Sequence, residues 1–116
     1  MSTVFRQVLD QITRVRGVRG AMLVAGEDGL IVAESLMEGV RGNAVAALAA
    51  SLQKRFRQAM EVAAGGMSHF LHLQGEGGTL IIVPAPDGIL VVTVGTPDMN
   101  VGLVRLEMLR AAELIS

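Results

Sequence analysis

GVRGAMLVAGEDGLIVAES, residues Gly17 to Ser35, is the stretch on which the fold turns. Ala21 to Ala25 is a short β-leaning run, and Leu30 to Ala33 is a second one. Between them Glu27-Asp28-Gly29 reads as a hairpin turn, because Asp-Gly accepts the positive φ angles that a tight hairpin demands. The turn also sets register: a slip of one residue would send every apolar side chain of the second strand to the opposite face. Gly17 supplies a left-handed stop for whatever helix precedes it, and Gly20 allows a close entry into the strand. These roles are structural, and none is chemical.

Upstream of the hairpin, Val4, Phe5, Val8, Leu9, Ile12 and Val15 recur at spacings of three and four, which predicts an amphipathic helix. Downstream, from about Val40 to Ala64, the helical period returns, with Val45, Leu48, Leu52, Phe56, Ala59, Met60 and Ala63 on one face. Beside that face lie Ala44, Ala46, Ala47, Ala49, Ala50 and Ser51. Two readings of this small-residue set stay open. Ala is the best helix former, so the set can simply make a good helix; or it lets a partner helix approach closely, on the side facing away from the sheet. Gly65-Gly66 ends the helix.

Three more strands are expected at Met67–Gln74, Thr79–Val83 and Ile89–Val94, joined by Gly75–Gly78 and by Pro84–Gly88 with its second Asp-Gly pair. Runs apolar on both faces, such as Thr79–Val83 and Ile89–Val94, belong in the middle of a sheet covered on both sides. Thr96-Pro97-Asp98 predicts the start of a last helix, with Thr as cap and Pro at the first helical position. That helix is expected to bury Val101, Val104, Met108, Ala112 and Ile115. The order α-β-β-α-β-β-β-α gives an α/β (α+β) fold: a five-stranded, mostly antiparallel sheet sandwiched by helices. Nothing interrupts it as a linker or repeat, so residues 1–116 read as one domain.

Composition narrows the function. The chain is 51% hydrophobic and 18% charged, an excess of apolar side chains that points to a further burial surface between chains. A net charge of −1 offers no basic field for a phosphate backbone. Three Phe, with neither Trp nor Tyr, give little on which bases could stack. Both facts argue against a nucleic-acid partner. The absence of Cys removes disulfides, thiolate catalysis and sulfur-ligated zinc, and fits a reducing compartment. Arg6, Asp10 and Arg14 interrupt the first segment, so it does not read as a signal peptide. The longest purely apolar run, Leu80 to Val83, is far too short for membrane insertion. A cytoplasmic protein is expected.

The element order and the Gly17–Ser35 string together resemble the roadblock family of dynein light chains, and within it the bacterial and archaeal MglB-type proteins. The likeness continues through the Ala/Leu-rich helix around Val45–Leu52, the block TLIIVPAPDGILVVTVG (Thr79–Gly95) and the C-terminal amphipathic helix. The resemblance implies a profilin-like sheet and a homodimer, in which two copies of the third strand pair antiparallel and the central helices lie against each other. Carried onto this chain, the dimer interface comprises Ala44, Leu48, Ala49, Leu52 and Phe56 on the helix, with Met67, His69, Leu71 and Leu73 on the edge strand. The resemblance further implies a small Ras-like GTPase as partner, regulated without an inserted arginine finger. The GTPase-facing candidates are Arg41, Lys54, Arg55 and Arg57, a basic cluster. As a solvated helix face that cluster needs no function; as a patch it would meet acidic groups or phosphate on the partner.

No catalytic, cofactor-binding or metal-ligating residues emerge. His69 and His72, three apart on a strand, point to opposite faces and do not share a metal. Gly75-Glu76-Gly77-Gly78 joins two strands and lacks the Lys and Ser/Thr of a phosphate loop. Glu27-Asp28 sits in a turn, where solvation accounts for both carboxylates. Two classes of function remain: a non-enzymatic GTPase regulator or scaffold, and a structural adaptor or light-chain-like subunit of a larger complex. A small-ligand sensor is disfavoured by the lack of polar groups among the core runs.

Overall fold

The computed structural model describes residues 2–115. In chain order it holds α1 (Ser2–Thr13), β1 (Val18–Ala25), β2 (Ile31–Leu36), α2 (Gly42–Ala63), β3 (Leu71–Gly75), β4 (Gly78–Pro84), β5 (Ile89–Gly95) and α3 (Val101–Leu114). The strands form a single antiparallel sheet in the order β2-β1-β5-β4-β3, the expected architecture. The strands buried on both faces, β1, β5 and β4, hold its middle, where their unbroken apolar runs require it. One face is covered by α1 and α3, with Leu9, Ile12, Leu23, Ile81, Val91, Val104 and Met108 at its core. The other is covered by α2 alone, over Met22, Val24, Ile82, Leu90 and Val92.

The local signals act largely as the residues dictate. Gly17 has φ +93° and stops the first helical segment. In the β1–β2 turn only Gly29 takes a positive φ, +75°, while Asp28 accepts a hydrogen bond from the Leu30 N–H at 3.2 Å. The connection is therefore a wider turn over residues 26–29 than a two-residue hairpin. At the β4–β5 connection both Asp87 (φ +65°) and Gly88 (φ +77°) are left-handed, and Gly88 O accepts from Gly26 N–H at 2.8 Å, tying the two Asp-Gly turns together.

Besides the earlier start of β1 at Val18 and the extension of β2 to Leu36, three boundaries or faces differ from expectation, each for a physical reason. The third strand begins at Leu71, so Met67 and His69 precede it. Its ladder with β4 starts at Leu71↔Ile82, and further pairing would run onto Pro84, which has no N–H to donate. The segment before it is held to α2 by Gln53 Nε2, which donates to Ser68 Oγ at 3.1 Å. The last helix begins at Val101, capped by Asn100 Oδ1 accepting from Leu103 N–H at 3.1 Å. Thr96-Pro97-Asp98 instead forms a turn, closed by Met99 N–H to Thr96 O, that drops Met99 into the core beside Gly17. The sheet-facing stripe of α2 is Ala46, Ala49, Ala50 and Gln53, so these small residues meet the chain's own sheet and not a partner helix. Small side chains bring α2 close to the sheet: Gly29 sits under it, where an added Cβ would lie 3.1 Å from Ala47 Cα.

Candidate interaction surface

An uncovered strip of the sheet defines the site. α2 packs across β2, β1 and β5 and reaches Ile82 of β4, and beyond it the same face of β3 and of the Leu80 end of β4 is left without a helix above it. Leu71 and Leu80 are only partly buried there, and Leu73 is 43% exposed. β3 is also a sheet edge, paired on one side only, with β4. A groove of about 760 Å³ follows, walled by Val45 and Leu48 of α2 and floored by Leu73 and Leu80, with Arg19 and Arg41 at its end.

Helical geometry explains the wall. At about 100° per residue, Ala44, Val45, Leu48, Leu52, Phe56 and Ala59 make a stripe roughly a third of a turn from the sheet-facing one. Within it Ala44 is exposed, Leu48 is 52% exposed, and Leu52 and Phe56 are half-buried. Of the helix residues assigned to a dimer interface, these four lie on one open shoulder beside β3. Ala49 does not: it is fully buried against the sheet of its own chain and has no surface left for a partner. The helix also overhangs. From Lys54 to Ala63 only Phe56 and Met60 are even half-buried, and Val62 is 90% exposed. Met67, 86% exposed, continues this apolar strip; His69 is exposed beside it. Sequence reading missed Leu80 and Arg19; Leu80 was detectable as part of a run apolar on both faces.

The basic cluster disperses in three dimensions. Lys54 Nζ donates to the Glu27 carbonyl at 2.7 Å, fastening α2 to the β1–β2 turn. Arg57 lies across the helix from Arg55 by the same rotation, and lines a different groove with Met67, Pro84 and Leu109. Arg41 is the N-cap residue of α2, about 20 Å along the axis from Lys54. The four cations do not make one patch. Among the described residues, no group of three or more His, Asp or Glu side chains is placed to hold a metal ion. Nor is any described helix long and apolar enough to cross a membrane.

Comparison with known proteins fits this geometry. The family model described as Roadblock/LC7 domain matches residues 4–94. An uncharacterized protein of Methanocaldococcus jannaschii, MJ1340, is 37% identical over 110 residues, covering 94% of each chain. The solved structure of the gliding protein MglB from Thermus thermophilus superposes with a TM-score of 0.85 at 22% identity, covering 97% of this chain and 86% of that one. A Roadblock/LC7 domain from Streptomyces avermitilis superposes with a TM-score of 0.83 at 18% identity, over 99% and 93%.

Proposed function

The chain belongs to the Roadblock/LC7 domain family, and from that membership we propose that it is a homodimeric protein-binding module of the cell interior that regulates or scaffolds a small Ras-like GTPase. The uncovered groove beside β3 carries the dimer. A second copy paired antiparallel along β3 extends the sheet and satisfies the free edge. Its α2 shoulder then lies over the bare Leu71, Leu73 and Leu80, and its overhang gains a surface to rest on. The two-fold makes each copy fill the other's groove with the same residues.

The GTPase rests on the likeness to MglB-type proteins. The dimer presents its binding surface without chemistry of its own, so it acts on its partner's conformation and is no enzyme. Dispersal of Arg41, Lys54, Arg55 and Arg57 argues against a concentrated cationic patch, and it favours the adaptor as the second reading. Of the four, Arg41 at the groove end and Arg55 on the outer side of α2 are the best placed to meet a partner; Lys54 is occupied at the turn.

Size-exclusion chromatography with light scattering tests the first half: the expected mass is twice the 12.2 kDa chain. The second half is tested by titrating the dimer with Ras-like GTPases of its source organism, each loaded with GDP or a non-hydrolysable GTP analogue. Binding to one of them in one nucleotide state supports regulation. A dimer that binds none in either state supports the adaptor, and a monomer at all concentrations refutes both.

A further inference from the structure

The sheet has a second edge, and it is not needed for the dimer. β2 pairs with β1 alone. Met37 N–H donates to Arg19 O at 2.8 Å, and the register continues through Gly20↔Leu36, Ala21↔Ser35 and Met22↔Glu34. Antiparallel ladders alternate, so Ala33 and Ser35 turn their backbone groups toward β1 while those of Glu34 and Leu36 face outward. Natural edges are usually blunted by Lys, Pro or a bulge. β2 has neither Lys nor Pro, and its one irregularity lies at the Ile31 end, leaving residues 33–36 in regular register.

Along this edge runs a groove of about 630 Å³ between α1 and β2. Its apolar lining is Phe5, Leu9, Val32 and Ala33. At its rim the Arg6 and Asp10 charges of α1 cancel, while Glu34, paired with Met22, turns its carboxylate to the α2 face; among the described residues none of the three is in an ion pair. We propose that β2 is a docking edge for an extended peptide of alternating apolar and basic residues, added to the sheet as a further strand. Main-chain hydrogen bonds to Glu34 and Leu36 would hold it, and successive side chains would fall on opposite faces. On the α1 side they enter the apolar groove; on the other they meet the Glu34 carboxylate, where a Lys or Arg complements the charge.

The test uses the full chain and a phage-displayed library of randomised peptides of about eight residues, a length typical of strands. Enriched sequences are expected to alternate apolar residues with Lys or Arg. One of them, made with a fluorescent label, is expected to shift the amide resonances of residues 31–36 and of α1. Glu34→Lys is expected to weaken its binding about tenfold, while Gln58→Lys, a charge change on an exposed face of α2, leaves it unchanged. N-methylation of the peptide amides that face β2 is expected to abolish binding. The proposal is overturned if nothing is enriched, if the resonances that move lie on α2 and β3, or if N-methylated peptide binds equally. It is also overturned if β2 proves to be occupied by β2 of a second copy, seen as Glu34→Lys breaking a dimer or tetramer. None of these outcomes bears on pairing through β3.

Discussion

Replacing Leu48 by Ala is the sharpest probe of the surface beside β3. A fully buried Leu side chain is worth about 1.5–3 kcal/mol. Leu48 is 52% exposed in the single chain, so the portion still open to a partner amounts to about 0.8–1.5 kcal/mol. A two-fold interface contains the residue twice, which doubles the effect to about 1.6–3 kcal/mol, or about ten- to hundredfold in dissociation constant. Equilibrium sedimentation over a dilution series reads that shift, and circular dichroism at each concentration reports whether the fold persists. The neighbouring Ala49→Glu is the contrast. It forces a carboxylate into a fully buried site, at a cost of several kcal/mol against a total stability of about 5–15 kcal/mol. It is expected to unfold the chain, not to release folded monomer. An unchanged dimer in Leu48→Ala, or a folded monomer in Ala49→Glu, would refute the assignment of the two helix stripes.

Further outcomes follow from single contacts. Gly17→Ala places a Cβ 2.7 Å from that of Met99 at a φ of +93°, so chemical denaturation is expected to show a loss well above 1 kcal/mol, about the upper end for a simple Gly→Ala backbone effect. Asn100→Ala removes the α3 cap and is expected to cost about 1 kcal/mol, whereas Thr96→Ala, outside that helix, costs less than half as much; equal losses would restore Thr96 as the cap. The Thr93 hydroxyl is buried without a hydrogen-bond partner, so Thr93→Val is expected to leave the melting temperature unchanged or raise it, and a fall of several degrees would reveal a missed bond. Arg55→Glu and Arg57→Glu lie on opposite sides of α2, so their effects on partner binding are expected to add independently; strong coupling between them would show a shared patch.

The hairpins were legible because their chemistry is local. Asp28-Gly29 and Asp87-Gly88 dictate a reversal whatever surrounds them, and the apolar runs of β4 and β5 admit no place but the sheet centre. The N-terminal boundary of α3 was hidden for the opposite reason. Thr96-Pro97 carries every local mark of a helix start, and burial of Met99 against Gly17 overrides it from a distance. The stripes of α2 were ambiguous at source. Both are apolar, and which one meets the sheet depends on how closely the helix can lie over β1 and β5, a quantity that no single residue encodes. The dispersal of the basic residues follows from the same rotation: Arg55 and Arg57 are neighbours in sequence and nearly opposite around the axis. The bare strip of sheet beside β3 left only a faint trace, the excess of apolar side chains.

Under the proposed pairing, the overhanging end of α2 makes survival of the protein depend on its abundance. In a lone copy, residues 55–63 are exposed apart from the half-buried Phe56 and Met60, and a helical segment of that length is marginal in water without packing. Its backbone would open readily to proteases, with Phe56, Met60 and Val62 exposed as it does so. In the proposed pair the same segment would be braced. Copies produced beyond what can pair would then be the ones first removed, and the cellular level of the module would be set by its assembly.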